Sequence, residues 1–272
     1  MSERLPKTNQ ATSSREPLLA VDHVQIGYNV DKKLNIAVRD ASFEIFAGEK
    51  MMLLGPSGSG KSTILKAVAG FLKPVGGRIV IAGRESLEPE PDRAVVFQEF
   101  DQLFPWRTVE DNVAYSLRVT GRDKREAAAT AKRYIEMMGL SLAADRYPHQ
   151  LSGGMKQRVA IARALALDPL MLLMDEPFGS LDAQTRSRLQ REVHEISERT
   201  HVTILFVTHS IQEALFLGDR VVVLADAPSH VQEIVDVSGA DDPDSEEFIT
   251  LRRHLRQLLA EDEQDVHHAV FE

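Results

Sequence analysis

No cysteine occurs anywhere in the 272-residue sequence, which excludes disulfides, thiolate metal sites and cysteine nucleophiles and fits a reducing compartment. Long apolar runs are missing too. The longest, such as Leu170–Met174 and Val221–Ala225, have buried-strand length and fall far short of the ~20 residues a membrane-crossing helix needs. There is no excess of basic charge: 32 Lys and Arg against 41 Asp and Glu give a net charge of −9, which argues against a nucleic-acid footprint. Residues 1–17 are polar, lack the apolar stretch of a signal peptide and read as a flexible tail. Internal repeats and low-complexity blocks are also absent. What remains is an ordinary globular balance, 43% hydrophobic and 27% charged, in a chain long enough for one large domain or two small ones.

Strand-like and helix-like segments alternate along the chain. Leu18–Tyr28 alternates as an edge strand should, and Ala41–Phe46 gives another strand. Met51–Leu54 is a short continuous apolar run, the pattern of a strand buried on both faces, and it stops at Gly55. Lys61–Gly70 reads as a helix closed by glycine, followed by strands at Arg78–Ala82 and Ala94–Phe97. The tract Val109–Leu142 reads as mostly helical, with DKREAAATAKRYIEMMG starting at an Asp and ending at a Gly. Helices at Gly154–Leu167, Ala183–Thr200 and Ile211–Leu217 alternate with strands at Leu170–Met174, Thr203–Thr208 and Val221–Leu224. This β–α–β order predicts an α/β fold, a mostly parallel sheet with helices on both faces. Residues 18–240 form the expected main domain, with a helical subdomain at about 100–168. Residues 241–272 form a C-terminal helix and tail, the helix spanning Asp244–Ala260 with apolar spacing at Phe248, Leu251, Leu255, Leu258 and Leu259.

GPSGSGKST at Gly55–Thr63 has the spacing of a phosphate-binding loop, with a strand before it and a helix after it. Gly55, Gly58 and Gly60 let the backbone curl so that its N–H groups face phosphate oxygens, assisted by the positive end of the following helix. Lys61 reaches for the β- and γ-phosphates, Ser62 can ligate magnesium, and Pro56, Ser57, Ser59 and Thr63 complete the nucleotide loop. MLLMDEP at Met171–Pro177 ends an apolar strand with two carboxylates, a costly arrangement unless they act. Asp175 is expected to hold magnesium, and Glu176 to orient or deprotonate the attacking water. The bland alternative is a helix N-cap cluster before Pro177.

LSGGMKQ at Leu151–Gln157 lies just before a helix. Ser152 offers a hydroxyl, Gly153 and Gly154 offer close backbone N–H groups, and the helix dipole points at the same place. That is a phosphate site without a cation of its own, or else a plain Ser N-cap. His209, after the apolar strand Thr203–Thr208, can hydrogen-bond a γ-phosphate or be merely structural. Tyr28 either stacks on an adenine ring or packs at a strand end. His267 and His268 read as part of a solvated tail rather than a metal site. Between Gln98 and Val113, Phe100, Leu103, Phe104, Pro105 and Trp106 either fill the helical subdomain or stay partly exposed as an apolar docking groove.

These blocks, in this order over residues 18–240, resemble the nucleotide-binding subunit of an ATP-binding cassette (ABC) transporter. In that family GPSGSGKST is the Walker A loop, Gln98 the Q-loop glutamine, LSGGMKQ the signature and MLLMDEP the Walker B strand. Ser180-Leu181-Asp182 is the D-loop and His209 the switch histidine. The resemblance implies a homodimer or pseudo-dimer, head to tail, holding two ATP molecules with Mg²⁺ at its interface. Each ATP is clamped by one subunit's Walker A loop and the other's signature. It implies catalytic roles for Glu176, His209 and Gln98, with Gln98 joining Ser62 and Asp175 at the metal. It also implies a groove near Gln98 that receives a short helix from a membrane-spanning permease, an indirect link to a solute-binding protein, and residence on the cytoplasmic face of the bacterial inner membrane.

FPWRTVEDNV at Phe104–Val113, LSGGMKQRVAIARAL at Leu151–Leu165 and MDEPFGSLD at Met174–Asp182 resemble the importer branch for nitrate, sulfonates and taurine. Met155 stands where the wider family has glutamine, and one terminal helix follows where sugar-importer subunits carry a regulatory β-domain. The competing expectation is a soluble ABC ATPase of the iron–sulfur assembly type. A small-molecule P-loop kinase leaves LSGGMKQ and His209 without a role.

Overall fold

The apolar run at Met51–Leu54 is continuous because successive residues serve different cores. In the computed structural model, which describes residues 16–30, 33–85 and 88–269, Met51 and Leu53 face one hydrophobic cluster and Met52 and Leu54 the other. Side chains alternate across a strand, so a strand covered on both faces needs no polar positions.

The amino-terminal part forms β1 (Leu19–Val30), β2 (Lys33–Ile45), β3 (Lys50–Leu54), α1 (Lys61–Val68), β4 (Gly76–Ile81), β5 (Arg84–Glu85) and β6 (Arg93–Val96). Three longer helices follow: α2 (Val109–Val119), α3 (Lys124–Met137) and α4 (Gly153–Leu165). The chain then runs through β7 (Met171–Asp175), α5 (Ala183–Thr200), β8 (Thr203–Thr208), α6 (Ile211–Leu217), β9 (Arg220–Leu224), β10 (Ser229–Asp236) and α7 (Glu246–Ala269). The strands make one sheet in the order β5-β4-β1-β2-β10-β9-β3-β8-β7-β6. From β9 to β6 all neighbours are parallel, whereas β5, β4, β1 and β2 pair antiparallel. The expected mostly parallel sheet is therefore present as the core, and an antiparallel β edge flanks it. α1 is buried between the two kinds of sheet, in one cluster with Val38, Ile79, Leu173 and Val207. α2, α3 and α4 pack on one another and form the helical layer.

Local signals set most helix starts. Thr108, Asp123, Ser152, Asp182 and Ser210 each accept a backbone N–H in the first turn of the helix that follows. Two strands depart from the expectation. β2 starts at Lys33, eight residues before the expected Ala41: Leu34, Ile36 and Val38 alternate there, but Leu34 is exposed, Ile36 is half-buried and only Val38 of the three is fully buried. β10 was not expected, since most of its residues are half-buried and the burial pattern has no period of two.

The amino-terminal tail expected at 1–17 lies outside the described residues up to residue 15. The terminal helix runs as α7 through His267 and His268. Phe248 and Leu255 are fully buried in the cluster shared with α4, β7 and α5, and Leu251, Leu258 and Leu259 pack against it. α7 is thus tied to the same core as the sheet. Leu255→Ala should cost ~2–5 kcal/mol, as for other large-to-small core changes. A urea melt with an unchanged midpoint would show instead that α7 separates from the main unit.

Candidate functional site

Four parallel strands end at one sheet edge. Leu54 pairs with Thr208, Asp175 with Val207 and Met174 with Val96, so β3, β8, β7 and β6 finish nearly level. The residues just beyond those ends are Gly55, His209, Glu176 and Gln98. Adjacent strands lie ~4.8 Å apart, so this register alone brings four distant stretches of sequence into one row.

The loop after β3 wraps the start of α1. Gly60 has φ 83°, and a Cβ there would stand 2.8 Å from Val38 Cγ2, so only glycine fits. Lys61 is 5% exposed, and its Nζ donates to Gly55 O at 2.9 Å and Pro56 O at 2.6 Å, with Ser59 Oγ at 3.5 Å. No carboxylate lies within 4 Å of it among the described residues. Burial lowers its pKa, while Glu176 and Asp175 push it back up. A buried ammonium held only by neutral oxygens, at a helix N-terminus, fits an anionic ligand such as a chain of phosphates. Tyr28 is brought in from β1, with its hydroxyl 3.0 Å from Thr63 Oγ1 and its ring partly exposed.

Ser62 Oγ donates to Asp175 Oδ1 at 2.7 Å. Burial raises the Asp175 pKa, opposed mainly by that hydrogen bond and by Lys66. The two hard oxygens fit a magnesium ion completed by phosphate and water. Glu176 takes φ 43°, an uncommon conformation for a residue with a side chain, while its N–H still continues the sheet to Val207 O. Its Oε2 lies 3.0 Å from His209 Nδ1, so the expected base and the expected switch histidine are in direct contact. Gln98 is exposed and lies over Gly179, where a Cβ would come within 2.7 Å of its Nε2. Glycine at 179 therefore lets the glutamine lie against the loop that follows Glu176.

The LSGGMKQ block sits elsewhere. α4 packs on α2, α3, α5 and β6, whereas α1 packs on β1, β2, β7 and β8. Ser152 caps α4 by accepting from Met155 N at 3.4 Å and is exposed. Gly153 is half-buried. Gly154 is buried, with Thr185 of α5 where a larger residue would place its Cβ.

Three polar side chains had no assigned role in the sequence and prove structural to the site. Gln157, 0% exposed, donates from Nε2 to Phe97 O, next to Gln98. Glu192 grips Arg158 of α4 with contacts of 2.7 and 2.8 Å and also binds Arg188. Glu213 accepts from Thr208 Oγ1 at 2.6 Å and from Gln190 Nε2 at 3.0 Å, which braces the strand end before His209. Gln157 is the last residue of LSGGMKQ, so its place in the block was the one available signal.

The aromatic segment divides. Leu103 is core, and Phe104 is half-buried against Tyr115, with ring centroids 4.8 Å apart. Buried Asn112 holds the backbone at Phe104, Arg107 and Thr108. Trp106 is 70% exposed and Pro105 is exposed as well. The Phe100 side chain lies outside the described residues.

A phosphate loop, an acidic strand end and a histidine between them in the sheet define a P-loop nucleotide-binding protein. Residues 38–179 match the family described as ABC transporter. A taurine import ATP-binding protein of Rhizobium johnstonii is 42% identical over 253 residues, 89% of this chain and 96% of that protein. The nitrate import ATP-binding protein NrtC of Synechococcus elongatus is 47% identical over 223 residues. That match takes in 80% of this chain and spans 34% of the longer NrtC. An ATP-binding cassette solved as a dimer in a post-hydrolysis state with ADP and Pi superposes with a TM-score of 0.70 at 29% identity, covering 81% of this chain and 99% of that one. CbiO1 of Clostridium perfringens, part of the ABC transporter complex cbiONQ, gives 0.73 at 28% identity, covering 81% and 89%. The chain belongs to the ABC transporter ATP-binding family.

The raised pKa of Asp175 carries a sign. Its ionised form is disfavoured in the fold, so stability falls as pH rises from the unfolded carboxyl value through the higher folded one. At neutral pH Asp175→Asn removes that cost and still accepts from Ser62. The nucleotide-free variant should melt at the native temperature or up to ~4 °C above it. A loss of several degrees would show that the carboxylate stabilises the fold.

Proposed function

We propose that this chain is the ATP-hydrolysing, energy-coupling subunit of an importer for nitrate, a sulfonate, taurine or a related small solute, bound peripherally at the cytoplasmic face of the bacterial plasma membrane. The observation that carries the reading is the 3.0 Å contact between Glu176 and His209 beside the buried Lys61 loop. Residues 55–63 hold the phosphates, with Lys61 offsetting their charge, and Tyr28 offers its ring to the base. Ser62 and Asp175, with Gln98 above them, are the residues that would hold Mg²⁺, which supplies charge neutralisation at the phosphates. Glu176 accepts the proton of the attacking water, and His209 fixes the carboxylate's position.

Ser152 is exposed and Gly153 half-buried at the N-terminus of α4, away from the elements that pack on α1. This supports a role facing a nucleotide on a second subunit, in a head-to-tail dimer. The dimeric neighbour that holds ADP and Pi is consistent with it. Exposed Trp106 and Pro105, in the segment that follows Gln98, supply the apolar face for a permease helix. The taurine and nitrate import relatives favour a transporter over the soluble iron–sulfur assembly type. No helix among the described residues is long and apolar enough to cross a membrane, so a membrane partner is needed for transport.

Glu176→Gln keeps the shape and removes the proton acceptor. Turnover should fall about 10²–10⁴-fold, with ATP retained in a stable dimer seen by size-exclusion chromatography. Near-native hydrolysis would remove Glu176 from the role of base. The native chain should co-purify with a multi-span membrane protein, and Trp106→Ser should lose that partner without losing thermal stability. Native chain purified free of any membrane protein would favour the soluble alternative.

A further inference from the structure

A cleft of about 370 Å³ opens where α5, α6 and the start of α7 meet, on elements other than the phosphate loop. Arg186 and Arg191 of α5 line it, with Ser210 and Gln212 at the start of α6 and an apolar wall from Phe216 and Phe248. Its charge is unusual in a chain of net charge −9. Neither arginine has a carboxylate within 4 Å among the described residues. Arg186 donates to Leu181 O at 2.9 Å, and its buried Nε has no hydrogen-bond partner among the described residues. The single acid on the lining, Glu213, has both oxygens taken by Thr208 and Gln190. Two arginines and one already satisfied carboxylate therefore line the cleft.

We propose that this cleft is an effector site for a small organic oxyanion, a sulfonate or carboxylate with a short apolar body. Guanidinium forks match such head groups with paired hydrogen bonds, and the two phenylalanines cover the apolar part. The volume suits a small ligand. The walls also bond to two segments that flank the nucleotide site. Arg186 holds the carbonyl of Leu181 in the loop that leads from Glu176 to α5, and Glu213 holds Thr208 beside His209. An anion that draws Arg186 toward itself changes its grip on Leu181, in the loop between Glu176 and α5. The binding claim goes beyond the ATPase reading, and only the effect on turnover rests on it.

The test is calorimetric titration of the full, nucleotide-free chain with sodium ethanesulfonate and with sodium benzoate, against sodium chloride at matched ionic strength. Saturable binding of at least one organic anion at millimolar concentration or below is expected, with none for chloride. Arg191→Gln, an exposed position, should weaken it by about tenfold, the effect of one lost charge contact of ~1.4 kcal/mol, with the melting temperature unchanged. Arg186→Gln should weaken it at least as much. Saturating anion should change ATP turnover at least twofold in the native chain and leave Arg191→Gln unaffected. Absence of saturable binding, affinity unchanged from the native chain in both arginine variants, or a response that chloride reproduces overturns the site. Binding without any change in turnover overturns the effector role while leaving the ATPase assignment intact.

Discussion

The register of β3, β8, β7 and β6 is the constraint on which the rest of the molecule depends. Because these strands are parallel and their last pairs align Leu54 with Thr208, Asp175 with Val207 and Met174 with Val96, their C-terminal ends open onto one edge. Phosphate loop, carboxylates, histidine and glutamine then meet without any long connection reaching across the protein. A register slip of one residue on β7 would turn Asp175 to the other face of the sheet and bury Glu176's neighbours differently. The two apolar cores on either side of β3 hold that register in place.

The edge is held at an energetic cost. Lys61 is buried with neutral partners, Asp175 is half-buried with its carboxyl pushed toward the neutral form, and Glu176 occupies the left-handed region. Backbone outliers of this kind cost on the order of 1–3 kcal/mol each. Such costs persist where the surrounding structure over-determines the conformation, and here the Glu176 N–H bond to Val207 O does so. A bound phosphate chain would supply the anion that Lys61 lacks, and a cation at Asp175 would favour its ionised form. Stability without nucleotide and readiness to bind it are opposed at the same side chains.

The helical layer joins this edge through a few polar bonds. Gln157 and Arg163 of α4 reach Phe97 O and Gln102 O on the segment that carries Gln98. Arg158 of the same helix is gripped by Glu192 of α5, whose N-terminus begins at Asp182. α4 thus carries Ser152 at one end while its flank is fastened to the neighbours of Gln98 and to the helix that follows Glu176. The Ser152 terminus is linked through hydrogen-bonded side chains to both places.

Local chemistry was readable in the linear sequence. The phosphate loop depends on glycines and a lysine within nine consecutive residues, the acidic strand end on an apolar run of five, and the helix starts at Asp123, Ser152 and Asp182 on single capping side chains. Those features are decided by backbone sterics and hydrogen bonds between near neighbours, so composition and spacing suffice. Tertiary structure alone decided the rest. β10 pairs with distant β2 although its own burial shows no alternation, and the burial of α7 depends on the surface of α6 and β9. The contact of Glu176 with His209, the link from Gln157 to Phe97 and the brace of Glu213 on Thr208 each join residues on different elements or across a helix start. Such pairings come from sheet register and helix docking, to which no single stretch of sequence commits.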